Sequence, residues 1–154
     1  MDCIFCKIID NQVASRKIYE DENNIAILDI NPASPGHVIV VPKKHTESIF
    51  TIDSLDLRRT IEIVKLISEK IKKELKTDNL NIILNNGRMA GQIIDHLHIH
   101  ILPRFPNDRI NFTIPRYQMT DEQFWEVQSK LNINADLPPK PEPKPEAKNQ
   151  ENAE

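Results

Sequence analysis

Residues 96–100 read His-Leu-His-Ile-His, three imidazoles separated by single apolar residues. On an extended strand successive side chains point to opposite faces. His96, His98 and His100 would then line one face at roughly 7 Å spacing, while Leu97, Ile99 and Ile101 enter the core. Three imidazoles on one rigid face are costly to bury unpaired, so they call for a metal, an anion or hydrogen-bond partners. Solvated surface histidines are the plain alternative, and it suits one histidine better than three in strict alternation. Two chemistries fit the pattern. The histidines are metal ligands, or they handle a phosphate, one as nucleophile and the others as donors to its oxygens. One face can serve both.

Cys3 and Cys6 stand three apart near the start of the chain. That spacing is too tight for a relaxed disulfide within one extended segment and suits a shared metal or a redox pair. No helix start or strand–helix unit is visible around them, which counts against a thioredoxin-like pair. Two ordinary buried thiols are the remaining alternative. The other histidines, His37 and His45, flank a run of apolar residues ending in Pro42.

The elements that must hold these groups follow from patterning. Residues 17–20 and 25–29 predict a hairpin around the polar turn 21–24. Residues 31–36, with two prolines and a glycine, predict a loop, and 37–42 a strand buried on both faces. From Ser54 to Leu75 the positions Leu57, Ile61, Val64, Ser68, Ile71 and Leu75, widened by Ile63 and Ile67, predict a long amphipathic helix capped by Asp53 or Ser54. Residues 80–85 and 96–102 predict two more strands. A second helix is expected over 120–131, with Thr120 and Gln123 as a capping box. Five short strands without regular strand–helix alternation predict an α+β fold: a mostly antiparallel five-stranded sheet with one long helix and a C-terminal helix.

Composition sets the outer limits. The chain has 154 residues, 39% apolar and 28% charged, with a net charge of −3. This is one ordinary domain's worth of chain, with no basic face for nucleic acid. Its apolar runs reach only four residues, far below the ~20 of a spanning helix, so no membrane association is expected. The first residues lack a basic segment followed by an apolar stretch, and a cytoplasmic location is the expectation. Five of the eleven prolines fall between 138 and 145. The folded domain is therefore expected over 1–136. Residues 137–154 are expected to form a proline-rich disordered tail, a spacer or a docking segment for a protein partner.

Several ordered motifs together resemble the histidine triad (HIT) nucleotide-binding proteins. They are the Cys-Ile-Phe-Cys-Lys-Ile-Ile start, Asp29-Ile30-Asn31-Pro32 with Pro35-Gly36-His37, and Val41-Pro42-Lys43-Lys44-His45. Asn85-Asn86-Gly87 with Gly91-Gln92 and the His96–Arg104 segment complete the set. The resemblance covers residues 2–105 and leaves out the tail. It implies that His98 attacks the α-phosphate of a nucleotide, forming a nucleotidyl-histidine that water hydrolyses, with His100 and His37 flanking the phosphate. In the cysteine-bearing branch it implies a structural zinc held by Cys3, Cys6, His45 and His96, and no organic cofactor.

The resemblance further implies that Asp29 binds the ribose hydroxyls and that Ile4, Phe5, Ile8, Ile27, Leu28 and Ile30 form a slot for the base. Asn85 would contact ribose or phosphate, though it is equally a turn former before Gly87. Gln92 would contact the phosphate or leaving group. Many relatives carry a hydroxyl residue after this glutamine, where this chain has Ile93, a departure that bears on substrate preference. Asp95 has no evident role.

The expected function is a homodimeric nucleotide hydrolase or transferase, with purine nucleoside phosphoramidates as substrates. A dinucleoside polyphosphate hydrolase is the nearest alternative. A nucleotide-binding scaffold with incidental catalysis is another, and a metal carrier using His98 and His100 as ligands a third.

Overall fold

The computed structural model describes residues 3–133; the tail expected over 137–154, and the domain end expected at 136, lie outside them. The chain divides into two units between Asn111 and Phe112. The first contains helix α1 (Ile4–Ile9), strands β1 (Lys17–Glu20), β2 (Asn24–Leu28) and β3 (Val38–Pro42), helix α2 (Ser54–Leu75), and strands β4 (Leu80–Ile83) and β5 (Ile99–Pro103). The strands form one antiparallel sheet in the order β1-β2-β3-β5-β4, the α+β architecture expected. Among the described residues no helix is long and apolar enough to cross a membrane.

β2 and β3 are buried on both faces, and the two sets of side chains divide cleanly. Ala26, Val38 and Val40, with Leu97, Ile99 and Ile101, pack against Ile63, Val64, Ile67 and Ile71 of α2. Ile25, Ile27, Ile39 and Val41 pack on the other face against Phe5 and Ile8 of α1. The buried stripe of α2 runs Thr60, Ile63, Val64, Ile67 and Ile71. Ile61 and Leu75, expected in that stripe, are 47% and 37% exposed, so the buried face is rotated from the expected one. Asp53 supplies the cap, its side chain accepting from the Leu55 N–H.

Two departures touch the candidate residues. Ile4–Ile9 is helical, with Cys3 as N-cap but no side-chain cap bond. Six residues are too few to reveal a helical period, and cysteine is not a usual cap. β5 begins only at Ile99, so His96, Leu97 and His98 precede the strand expected over 96–102. The reason lies in the neighbour. β3 pairs with β5 from Val40↔Ile99 and ends at Pro42, which has no N–H to extend the ladder. The Pro42 carbonyl instead meets the His96 ring, and Leu97 N–H donates to Thr46 O. β1 spans 17–20 as expected, and the remaining strand ends that differ do so by one or two residues.

His37 directly follows Gly36, which has φ +81°. A Cβ there would run into Leu75 Cδ1. Because Leu75 is partly exposed and can swing away, the backbone conformation dominates the cost. Gly36→Ala should destabilise the protein by about 1–2 kcal/mol in chemical denaturation. Adding Leu75→Ala should recover little of it; full recovery would mean that the steric contact governs instead.

The second unit contains helix α3 (Asp121–Leu131), which the sequence places inside the domain 1–136. Its start has the expected capping box: Thr120 accepts from the Gln123 N–H while the Gln123 side chain accepts from the Thr120 N–H.

Candidate functional site

The five histidines and two cysteines separate into two clusters that meet at His96 and His98. The first contains Cys3, Cys6, His45 and His96, whose ligand atoms all lie within 4.8 Å of one another. The start of α1 brings the two thiols to one side, the loop after β3 brings His45, and His96 is fully buried. Cys3 Sγ lies 3.4 Å and Cys6 Sγ 3.7 Å from His96 Nδ1. Cys6 Sγ lies 3.3 Å from His45 Nδ1, and the two Nδ1 atoms are 3.2 Å apart.

Hydrogen bonding does not account for this convergence. The His96 Nε2 lies 2.8 Å from the Pro42 carbonyl, which only accepts, so the neutral ring carries its proton there and turns a lone pair toward the cluster. One lone pair cannot satisfy two thiols and a second imidazole. A tetrahedral zinc, with ~2.3 Å bonds to sulfur and ~2.0 Å to nitrogen, sets S···N near ~3.5 Å and N···N near ~3.3 Å. The observed separations fit that figure. Burial and the neighbouring Cys3 push the Cys6 thiol up from its ordinary range, and a bound cation is what would deprotonate such a pair. Both thiols are free of disulfide. Although Cys3 caps a helix, they face imidazole nitrogens, as a ligand set does.

The second cluster contains His98, His100, His37 and Asp29. His98 Nδ1 donates to the His96 carbonyl at 2.6 Å, which leaves Nε2 as the lone-pair nitrogen. The Phe5 ring stacks obliquely on His98, centroids 5.1 Å apart, and fixes its plane. His37 Nε2 and His100 Nδ1 are 2.9 Å apart. The Ala33 N–H donates to His37 Nδ1, so neutral His37 donates from Nε2 to His100 Nδ1. His100 then carries its own proton on Nε2 as a donor. One Asp29 oxygen accepts the Asn31 N–H, and the other lies 3.5 Å from His37 Nδ1.

A cavity of about 390 Å³ opens onto His98 and His100. Its walls include Ile4, Phe5, Ile8, Ile27, Leu28 and Ile30, with Asp29 at one side. The residues expected as a base slot and the acidic residue expected at the ribose are therefore brought together with two of the three expected catalytic histidines. His37 is not on the wall; it reaches the site through His100. Nor do Asn85 and Gln92 line the cavity. Asn85 donates weakly to Gly91 O. The buried Gln92 side chain accepts from the Gly87 N–H and donates to Glu47 O and Ile94 O, which ties the 87–94 loop to the segment after β3.

Ile39, Asn31, Gly91 and Ile94 also line the cavity. The signal for Ile39 lay in the register: it faces Ile27 on one side and His100 on the other.

Burial favours the neutral form of His37 and His100. It pushes His37 down from its ordinary value against the pull of Asp29, and His100 down to about 4, with His98 and His37 adding to the effect. Between about 6.5 and 4 the unfolded chain takes up a proton on His100 that the folded one does not. Stability from this group is full above about 6.5 and lost as pH falls through that window, by up to about 3 kcal/mol. Thermal melting from pH 7.5 to 4 should show this acid slope, and His100→Asn should flatten it. An equal slope in the variant would assign it to other groups.

The HIT domain model matches residues 10–107. An uncharacterized HIT-like protein of Methanocaldococcus jannaschii is 48% identical over 106 residues, 69% of this chain and 81% of that protein. The adenosine 5′-monophosphoramidase of Schizosaccharomyces pombe is 34% identical over 137 residues, 85% of this chain and 99% of that one. A zinc-bound histidine triad family protein of Mycobacterium smegmatis superposes with a TM-score of 0.69 at 34% identity, covering 73% of this chain and 81% of that chain. With two imidazole clusters built on an antiparallel sheet and these relatives across most of its length, the chain belongs to the HIT family.

Proposed function

We propose that the protein is a nucleotide hydrolase of the histidine triad type, acting on purine nucleoside 5′-phosphoramidates through a nucleotidyl-His98 intermediate. The observation that carries the reading is the opposed orientation of two rings on one cavity wall. His98 has its Nδ1 proton committed to a carbonyl, which frees Nε2 to attack phosphorus, while His100 is left with Nε2–H to donate to a phosphate oxygen. His37 positions His100 and keeps its tautomer.

The apolar end of the cavity suits a base, and Asp29 has an oxygen to accept from the ribose hydroxyls. Zinc at Cys3, Cys6, His45 and His96 would be structural, since all four ligand positions are protein atoms and none is left for substrate. The relative from Schizosaccharomyces pombe named as a monophosphoramidase supports the substrate class. A homodimer belongs to the same reading; the outer edge of β4, which pairs with no strand among the described residues and bears the exposed Ile82, supports it.

The test is release of AMP from adenosine 5′-phosphoramidate by the purified full chain. Turnover that passes through a nucleotidyl-protein adduct, trapped by acid quench and detected by intact mass, supports the proposal. A folded protein that releases no AMP and forms no adduct overturns it.

A further inference from the structure

Ser34-Pro35-Gly36-His37 forms a tight turn, with the His37 N–H donating to the Ser34 carbonyl at 3.1 Å. Proline at its second position and Gly36, with φ +81°, at its third are what a type II turn requires. The sequence therefore shapes the turn locally, but nothing within the turn seats it against β5. The β3–β5 ladder ends at Val38↔Ile101, so the turn lies beyond the last backbone pair. Ser34 supplies the tie that the ladder does not. Its hydroxyl, on a residue only 5% exposed, donates to the Pro103 carbonyl at 2.6 Å. Pro103 closes the strand that carries His100.

What this tie controls is the place of a proton. His37 Nδ1 faces two groups of opposite demand. The Ala33 N–H, at 3.2 Å, needs a lone pair there, whereas the Asp29 oxygen, at 3.5 Å, would accept a proton's bond from it. With the Ala33 N–H in place, neutral His37 donates from Nε2 across 2.9 Å to His100 Nδ1, and His100 keeps Nε2–H. Were Ala33 to withdraw, His37 Nδ1–H would turn to Asp29 and His37 Nε2 would accept from His100. His100 would then carry its proton on Nδ1 and offer a phosphate oxygen only a lone pair. The two tautomers of the pair thus differ in whether a donor faces the cavity. Ala33 has no polar side chain to anchor it, but the adjacent Ser34 is bonded through both its hydroxyl and its carbonyl.

We infer that Ser34 is a positioning residue for the reaction. Through its bond to Pro103 it holds the Ala33 N–H on His37 Nδ1, and so selects the tautomer in which His100 is a donor. The catalytic consequence rests on transfer through His98; the tautomers themselves do not. Ser34 is not on the cavity wall, so it acts through the two histidines alone.

The experiment reads the tautomers directly. In the full chain, with histidine labelled by the heavy nitrogen isotope, long-range proton–nitrogen spectra near neutral pH report which ring nitrogen is protonated. The wild type should show His37 and His100 both protonated on Nε2, and a proton on Nδ1 of either ring overturns the inference without any variant. Ser34→Ala should move both rings together toward Nδ1–H. It should also lower kcat for adenosine 5′-phosphoramidate by about tenfold or more, with KM within about twofold of the wild type. Thr77→Val is the control. It removes a bond of the same kind at the same end of β5, from the Thr77 hydroxyl to the Arg104 carbonyl at 2.8 Å, on the segment before β4. It should leave the ring spectra and kcat unchanged. Ser34→Ala spectra that match the wild type, a kcat that does not fall, or equal shifts in Thr77→Val overturn the positioning role. Ring protons that move in Ser34→Ala while the wild type releases no AMP support the control of the tautomers by Ser34 and overturn the transfer reaction instead.

Discussion

His98→Ala should lower AMP release from adenosine 5′-phosphoramidate by about 10⁴-fold or more, with the fold and the Cys3–Cys6–His45–His96 cluster intact. A covalent nucleophile divides one difficult displacement into two easier ones, and its loss removes both. The ring at 98 is held for this role on both sides, by the His96 carbonyl on Nδ1 and the Phe5 face. His100→Ala should cost less, about 10²–10³-fold, the usual loss when one donor to a developing anionic oxygen is removed. The order of the two effects carries the argument. Should His100→Ala prove the more damaging, or His98→Ala retain more than a tenth of the activity, a different atom attacks. Steady-state kcat/KM for both variants, with circular dichroism to confirm folding, decides the matter. The nucleotidyl adduct should also vanish from His98→Ala alone.

The residues of the candidate site were legible in the sequence because residue type and order carry them. His96, His98 and His100 advertise themselves by alternation, and Cys3 and Cys6 by spacing. What the sequence hides is where hydrogen bonds end. His96 and His98 precede β5 because Pro42, across the sheet, has no N–H to extend the ladder. That event belongs to a strand 54 residues away in the chain. The same contact fixes the tautomer of His96.

Gln92 shows the opposite failure. A glutamine beside a triad looks like a phosphate ligand, but its side chain bonds Gly87 and Ile94 of its own loop and Glu47 beyond it, and only coordinates reveal such an internal commitment. His37 stands one layer behind its expected place for a similar reason: φ +81° at Gly36 turns the chain so that its ring meets His100 and not the cavity. The stripe on α2 was misplaced because Ile and Leu recur on several of its faces, and the buried Thr60–Asn24 hydrogen bond draws a polar residue into the core.

Removal of the metal should damage stability and catalysis together, because His96 serves both clusters. Its ring closes the Cys3–Cys6–His45–His96 set while its carbonyl holds His98 Nδ1–H. The protein should purify with about one zinc per chain by mass spectrometry of the metal. Zinc that binds the folded chain at a thousandfold over its Kd contributes ~4 kcal/mol. At roughly 4 °C of melting temperature per kcal/mol for a domain of this size, the Cys3→Ser, Cys6→Ser variant should melt about 15 °C lower. The core formed by α2 and the sheet does not depend on the cluster, so the variant should still fold, unlike an isolated zinc finger. Below its new melting temperature kcat should nonetheless fall, since a His96 ring without its ligand partners no longer fixes the carbonyl that orients His98. Retention of zinc by His98→Ala, His100→Ala would rule out the metal-carrier alternative at the same time. A wild-type protein that contains no zinc, with a double-serine variant that melts within about 2 °C of it, would reduce the four residues to a packed thiol–imidazole cluster, and would leave His98 oriented by the fold alone.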